Sequence, residues 1–210
     1  MREKILEARK VLLIRCDISS LMIDTLCERV VRENIGVACF YFDFAVQEEQ
    51  SPDVVLGSVL KQVVRGLDGV PEKIARAFQN RGNAIGGQRL RLEEIVGFLQ
   101  DITCARPTFI CMDALDEYPA RHRIKLLELL SQLLQKATGT RLFLTGRPHI
   151  RDEVERHLGG RAVTRSITPT KYDIITFLRA KLREDTMPDA MDENLEEEII
   201  RDIPNTVSEM

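Results

Sequence analysis

Apolar runs and helical patterns alternate along this chain, and together they predict an α/β fold. Uninterrupted apolar runs, which are typical of strands buried on both faces, cover residues 37–44, 108–113, 141–145 and 162–167. Segments with apolar positions at helical spacing cover residues 17–34, 54–67, 72–79, 90–104, 121–137 and 150–158. Strands that alternate with helices of this length predict a parallel sheet with helices on both faces.

The pattern changes after Thr170, where only helical segments follow. Residues 173–183 and roughly 192–202 have helical spacing, and the second segment combines an apolar stripe with a solvated acidic face. We therefore place a domain boundary near Thr168 and Pro169, with an α/β domain over residues 1–168 and the start of a helical lid domain over residues 169–210. This second unit looks truncated, because another element would be needed to bury its helices.

The first apolar run, Val11–Ile14, has two possible structures. It fits a buried strand, and it fits the core face of an N-terminal helix equally well in pattern. Periodicity alone does not separate the two for a run this short.

Composition and charge narrow the classes of function. The 210 residues are 44% hydrophobic and 30% charged with a net charge of -3, which is typical of a globular protein without a basic field for nucleic acid. No apolar run approaches the ~20 residues of a membrane span, and the first residues lead into no signal-peptide core. We expect a cytoplasmic protein that binds neither nucleic acid nor membrane.

The five cysteines indicate neither disulfides nor a metal site, because none of them has metal-like pairing. Cys39 and Cys111 lie in strand runs, and Cys27 and Cys104 lie in helical patterns. We expect them to be small buried hydrophobic residues.

The segment from Thr108 to Glu117 carries the clearest chemistry. Its apolar run breaks into three carboxylates within five positions, namely Asp113, Asp116 and Glu117. Ligands of open α/β sheets gather at the carboxyl ends of such strands, so this pattern is typical of a Walker B element. Asp113 would then hold Mg²⁺ through a water, and Asp116 or Glu117 would orient the attacking water. The alternative is a strand that runs into an acidic, solvated turn.

Three segments together resemble a known family. Residues 39–44 (CFYFDF), 113–117 (DALDE) and 142–150 (LFLTGRPHI) resemble the fungal NACHT-type signal-transduction P-loop NTPases of the STAND class, and more narrowly the nephrocystin-like N-terminal domain. The resemblance extends over about residues 18–210. It implies a P-loop NTPase-like sheet and a switch driven by ATP or GTP with Mg²⁺, of the type used in non-self recognition and cell death.

The resemblance also implies roles for individual residues. Asp113 would be the acid of the magnesium site, Asp116 and Glu117 would orient water, and Arg147 would sense the terminal phosphate. An arginine suits that task because its fork of donors neutralises phosphoryl oxygens. Alternatively, Arg147 is a solvated turn residue beside Pro148. Thr145 is either polar lining of the site or simply the end of a strand.

One part of the family pattern is missing from this sequence. NTPases of this class wrap the phosphates in a glycine-rich loop that ends in Lys-Ser/Thr, whereas the first glycine of this chain is Gly36. Alignment with the family puts Arg15 at the lysine and Cys16 at the hydroxyl residue. Arg15 could still meet a phosphate, but the β-carbons of the preceding apolar residues resist the positive φ angles of a phosphate nest. A decayed paralogue and a fragment of a longer chain both explain this break.

Three functions follow from these observations. The first is a degenerate or truncated signalling NTPase domain with weak or no hydrolysis of ATP or GTP. The second is a non-catalytic interaction module whose partners are other protein domains or intact relatives of the same family. The third is an ATPase with an unusual phosphate site built from Lys10, Arg15 and Arg147, which is the least favoured because hydrolysis needs metal and phosphates held together.

Overall fold

The structure, a computed structural model, describes residues 11–14, 19–82, 90–165, 170–183 and 193–208. Its sheet contains five strands: β1 (Val11–Ile14), β2 (Gly36–Tyr41), β3 (Thr108–Asp113), β4 (Thr140–Thr145) and β5 (Ala162–Arg165). Their order across the sheet is β2-β3-β4-β1-β5, and all four strand pairings are parallel. The predicted α/β class with a parallel sheet is therefore confirmed.

The helices between the strands are α1 (Ser19–Glu33), α2 (Pro52–Arg65), α3 (Glu72–Gly82), α4 (Leu92–Ala105), α5 (Ala120–Lys136) and α6 (Arg151–Leu158). Later in the chain come α7 (Lys171–Arg183) and α8 (Glu193–Ser208). Short 3-10 turns at Phe44–Glu49, Leu115–Glu117 and Pro148–Ile150 follow β2, β3 and β4. The chain thus leaves each of these three strands through a tight turn at the carboxyl edge of the sheet.

The run Val11–Ile14 forms a strand, so the helical alternative for it is wrong. β1 lies between β4 and β5, with Ile14 aligned to Thr145 on one side and to Arg165 on the other. From β1 the chain crosses to β2 at one edge, whereas from β4 it crosses to β5 at the other edge. Adjacent strands whose connections diverge in this way open a crevice at their carboxyl ends, which is where open α/β sheets bind ligands.

The core combines apolar side chains of β3 and β4 with those of the leucine-rich α5 and of other helices. Ile110, Met112 and Leu144 are fully buried. On α5 the buried leucines are Leu126, Leu127, Leu129, Leu130, Leu133 and Leu134. Full burial of such side chains contributes ~1.5–3 kcal/mol each, so this core, which includes Leu115, holds β3 and the acidic turn after it in place.

β2 is shorter than its apolar run because Asp43 begins a turn. The predicted strand over residues 37–44 ends at Tyr41, and the Asp43 carboxylate accepts a hydrogen bond from the Ala45 N–H at 2.8 Å. A side-chain acceptor of this kind competes with the ladder and starts the 3-10 turn. Phe44 is consequently 66% exposed rather than part of a buried strand.

The outer edge of β2 is covered by a side chain from α2. The amide of Gln62 accepts a hydrogen bond from the Cys39 N–H at 3.0 Å and donates to the Cys39 carbonyl at 2.7 Å. Both main-chain groups of one residue on an edge strand are thereby satisfied. This contact reduces the tendency of the edge to pair with another chain.

The prediction that the cysteines are buried is wrong for two of them. Cys27 and Cys104 are exposed, Cys39 is half-buried and Cys111 is buried. The two exposed cysteines lie on helices, where helical spacing predicts a helix but leaves the orientation of a small side chain open. Burial raises the pKa of the Cys111 thiol to about 12 and also raises the pKa of Cys39.

The chain divides into two compact units, Met1–Ser166 and Ile167–Met210. In the second unit α7 and α8 pack together, and Lys171 Nζ donates a hydrogen bond to Asn205 Oδ1 at 2.9 Å. The predicted boundary at Thr168 and Pro169 lies outside the described residues, and the lid character of this unit remains a prediction. Among the described residues, no helix is long and apolar enough to cross a bilayer.

Candidate functional site

The candidate site lies where β3 and β4 end side by side. Asp113 is the last residue of β3 and Thr145 is the last residue of β4. The Thr145 hydroxyl donates a hydrogen bond to Asp113 Oδ1 and accepts one from the Ala114 N–H at 2.9 Å. Thr145 is 3% exposed, so its hydroxyl is a buried group with both functions used. It fixes the direction in which the Asp113 carboxylate points.

The backbone turns sharply directly after Asp113. Ala114 has φ 55° and ψ 42°, a left-handed conformation that costs an alanine ~1–2 kcal/mol. The fully buried Leu115 anchors the following 3-10 turn. This turn brings Asp116 and Glu117 back to the carboxyl edge, beside the end of β3.

Asp116 and Arg147 form an ion pair. Asp116 Oδ2 lies 3.3 Å from Arg147 Nε, and Asp116 Oδ1 accepts a hydrogen bond from the Arg147 N–H at 3.2 Å. The Asp116 side chain is 8% exposed, whereas that of Arg147 is 75% exposed. Asp116 therefore holds a solvent-facing guanidinium at the mouth of the sheet.

Gly146 makes the approach between these two residues possible. A Cβ atom at this position would lie 2.6 Å from Ile150 Cδ1 and 3.4 Å from Asp116 Oδ1. Ile150 is buried and has little room to move. A glycine between Thr145 and Arg147 thus lets the end of β4 pass close to the acidic turn.

Glu117 contacts the other neighbouring strand end. Its Oε2 accepts a hydrogen bond from the Phe44 N–H at 3.2 Å, just after β2. The three predicted acids therefore make three different contacts. Asp113 and Asp116 reach the end of β4, and Glu117 reaches the end of β2.

Two further residues contribute to this site. The sequence indicates Thr145 only as polar lining of the site or as the end of a strand, and it does not indicate Arg123 on α5. Arg123 is 7% exposed and donates to the carbonyls of Tyr118 and Asp116. Its spacing of three and four residues from the buried Leu126 and Leu127 was an available signal, because a charged residue on the apolar face of a helix needs a partner.

The aromatic residues beneath the acidic turn are tightly packed. The Tyr118 ring stacks on Phe42 with a centroid distance of 4.5 Å and contacts the His122 ring at 5.7 Å. Burial, together with the negative charge of Asp53, raises the pKa of Tyr118 well above its usual range. Tyr118 is therefore a neutral packing group that supports the turn.

The described residues could bind a magnesium ion only together with other ligands. Within the described part of the chain, no group of three or more His, Cys, Asp or Glu side chains could hold a metal ion. Asp113 offers one carboxylate that Thr145 already orients, and Asp113 Oδ2 has no partner among the described residues. This donor set suits a cation that keeps several waters and takes its remaining ligands from phosphates.

The predicted phosphate contacts fall in the connection between β1 and α1. No glycine precedes Gly36 in the sequence, whereas a phosphate loop of the family type contains glycines before its Lys-Ser/Thr end. Arg15 belongs to this connection and lies outside the described residues, so its predicted role at a phosphate stays a prediction.

Sequence comparison decides the family. The family described as Nephrocystin 3, N-terminal, matches residues 18–147, which is more than half of the chain. The chain belongs to this family. The matched region begins at the start of α1 and ends at Arg147, so it includes Asp113, Asp116 and Glu117. Among curated proteins, none matches this nephrocystin-like chain.

Solved structures agree with the fold. A Walker-type ATPase of Pyrococcus abyssi is similar with a TM-score of 0.50 and 15% identity, over 98% of this chain and 63% of that protein. A chain of the Drosophila ORC bound to AT-rich DNA and Cdc6 is similar with a TM-score of 0.50 and 12% identity, over 87% of this chain and 67% of that one. At these identities the likeness concerns the fold, which is that of a P-loop NTPase-type domain. The nephrocystin-like chain spans less than two thirds of the Pyrococcus protein.

Proposed function

We propose that this nephrocystin-like chain is a signal-transduction NTPase domain of the NACHT type. It keeps the acidic residues that would bind the magnesium ion of a nucleotide but lacks the glycine-rich loop that would bind the phosphates. It would bind ATP or GTP with Mg²⁺ weakly and hydrolyse little or none. The observation that carries the proposal is the position of Asp113, held by Thr145 at the mouth of a parallel sheet. Family membership and a fold neighbour that is a Walker-type ATPase support it.

Each residue has a defined part in this proposal. Bound Mg²⁺ would neutralise charge on the phosphates. Asp113 would hold the ion through water with the free side of its carboxylate. Arg147 is exposed enough to reach a terminal phosphate, and its ion pair with Asp116 holds it at the site when no nucleotide is bound. Because Asp116 is occupied and nearly buried, Glu117 is the better candidate for orienting water.

The main test measures affinity for ATP and GTP with and without Mg²⁺, by calorimetry on the full chain. We expect weak binding that depends on Mg²⁺ and disappears in Asp113→Ala, with no phosphate release above background. Glu128→Ala, an exposed acid on α5, serves as the control and should bind like the unchanged chain. Binding that is independent of Mg²⁺ and of Asp113 would contradict the proposal.

A second candidate function is a non-catalytic module that associates with intact relatives. The observation in its favour is that no glycine precedes Gly36, so the sequence before α1 lacks a glycine-rich phosphate loop. This candidate predicts no nucleotide binding and an association with a full-length relative that survives Asp113→Ala. Sustained phosphate release that is lost in Arg15→Ala would instead favour an unusual phosphate site made of Lys10, Arg15 and Arg147.

A further inference from the structure

Arg123 makes a buried, bidentate ion pair across two helices. From α5 its Nε donates to Glu153 Oε1 at 2.7 Å, and its Nη2 donates to Glu153 Oε2 at 3.0 Å, on α6. The side chains of Arg123 and Glu153 are 9% and 20% exposed. Parallel hydrogen bonds of this kind fix the plane of the guanidinium as well as its position.

The remaining donor group of Arg123 holds the acidic turn. Its Nη1 donates to the Tyr118 carbonyl at 2.7 Å, with a longer contact of 3.4 Å to the Asp116 carbonyl. These two carbonyls flank Glu117. The guanidinium therefore joins the main chain of the turn to the carboxylate of Glu153.

Asp116 is consequently held from two sides. Its side chain binds Arg147, which directly precedes the 3-10 turn Pro148–Ile150 and α6. Its main chain contacts Arg123, which is bound to Glu153 on the same α6. These contacts close a ring that runs from Asp116 through Arg147 and α6 to Glu153, then through Arg123 back to Asp116.

We propose that Arg123 is a positioning residue of the candidate site. By tying the turn Leu115–Glu117 to α6, it keeps Asp116 aligned with Arg147 and Glu117 aligned with Phe44. Movement of α6 would reach the main chain of the turn through this guanidinium, in addition to the path from α6 through Arg147 to the Asp116 side chain. The importance of this alignment for nucleotides rests on the proposed function, whereas the alignment itself does not.

The alternative is a buried ion pair that serves stability alone. Removal of one member of such a pair is strongly destabilising, but replacement of both members by apolar residues of similar volume is often neutral or stabilising. If the pair only stabilises the fold, replacing both members by apolar residues should leave the turn Leu115–Glu117 as well ordered as before. A positioning residue would leave the turn loose even when global stability is restored.

The test uses the double variant Arg123→Met/Glu153→Met in the full chain without nucleotide. Amide hydrogen exchange is followed by NMR at the N–H of Arg147, which donates to Asp116, and at the N–H of Phe44, which donates to Glu117. Unfolding by denaturant gives the global stability of the same sample. Glu155→Gln, which removes an exposed pair with Arg151 on α6, is the matched control.

We expect the double variant to keep near-native stability while both amides exchange faster by about tenfold or more, as in local opening. Glu155→Gln should leave both rates unchanged. Native protection of both amides in a stable double variant would overturn the proposal.

If the double variant does not fold, Arg123→Lys is compared with Val59→Ala, a core variant in α2, at equal stability. Faster exchange at both amides only in Arg123→Lys supports the proposal, and equal rates overturn it. Neither outcome depends on nucleotide binding, so a failure of the proposed function is recognised separately.

Discussion

Thr145 and Asp113 join the ends of two adjacent strands through a buried hydroxyl. The Thr145 O–H donates to the Asp113 carboxylate while the hydroxyl oxygen accepts from the Ala114 N–H, so one side chain orients both the carboxylate and the turn that follows it. The acid that the sequence indicates for metal binding is thus oriented by a residue on the neighbouring strand. The geometry of the site depends on the register of β3 and β4.

Thr145→Val should destabilise the protein by ~1–3 kcal/mol, because it leaves a buried N–H and a carboxylate oxygen without their partner. Thr145→Ser keeps the hydroxyl and should cost clearly less. Urea unfolding of the three proteins measures the difference. A serine variant that loses at least as much stability as the valine variant would show that the hydroxyl is not the main contribution of Thr145.

Gln62→Leu should destabilise the domain and expose the edge of β2 to other chains. The Cys39 N–H and carbonyl both lose their side-chain partner, which costs ~1–3 kcal/mol if water does not replace it. The freed edge should also increase association, seen as light scattering that rises with protein concentration. Lys61→Leu adds the same apolar side chain at an exposed neighbouring position and should not reproduce the loss of stability.

Much of the fold was predictable because strands buried on both faces have continuous apolar sequences. Residues 108–113 and 141–145 are continuous apolar runs, and both are strands within one residue of the expected bounds. The carboxylates that follow the first run do lie at the carboxyl edge, as parallel strands require. The neighbour of each carboxylate was not predictable, because the order of strands in the sheet is a tertiary property.

Other features lacked a local signal or conflicted with one. The run Val11–Ile14 is too short for its period to distinguish strand from helix, and its pairing with β4 and β5 decided the matter. Gln62 and Arg123 are polar residues on helical faces that touch the core, and Gln62 pairs with Cys39 and Arg123 with Glu153, both of which are distant in sequence. Cys27 and Cys104 followed a helical pattern but face solvent.

Alkaline pH should destabilise the protein through Cys111. Burial raises the pKa of this thiol from 9.0 to about 12, so the folded state keeps the proton while the unfolded chain loses it. The stabilising contribution is complete below pH 9 and declines as pH rises toward 12, by ~1.4 kcal/mol per pH unit. Unfolding free energies of the native chain and Cys111→Ala between pH 8 and about 10.5 test this, and the alanine variant should show the smaller slope. Parallel slopes would contradict the prediction.

Arg147→Ala should separate the role of this residue in binding from its role in folding. The side chain is 75% exposed, so loss of its pair with Asp116 should change the free energy of unfolding by less than ~1 kcal/mol. If Arg147 reaches a terminal phosphate, the same variant should lose about tenfold in affinity for a triphosphate and little for a diphosphate, because a hydrogen bond to a charged group is worth ~1.5–3 kcal/mol.

Arg151→Ala is the control for this experiment, since Arg151 is also exposed and pairs with Glu155 one helical turn further on. Calorimetric titration with triphosphate and diphosphate in the presence of Mg²⁺ measures the ratio of affinities for each variant. An unchanged ratio in Arg147→Ala, in a protein whose binding requires Asp113, would assign Arg147 to the turn beside Pro148 and remove it from the phosphate site. The ion pair between Asp116 and Arg147 would then only stabilise the local structure, and the acidic turn would contribute to binding of the metal ion but not of the phosphates.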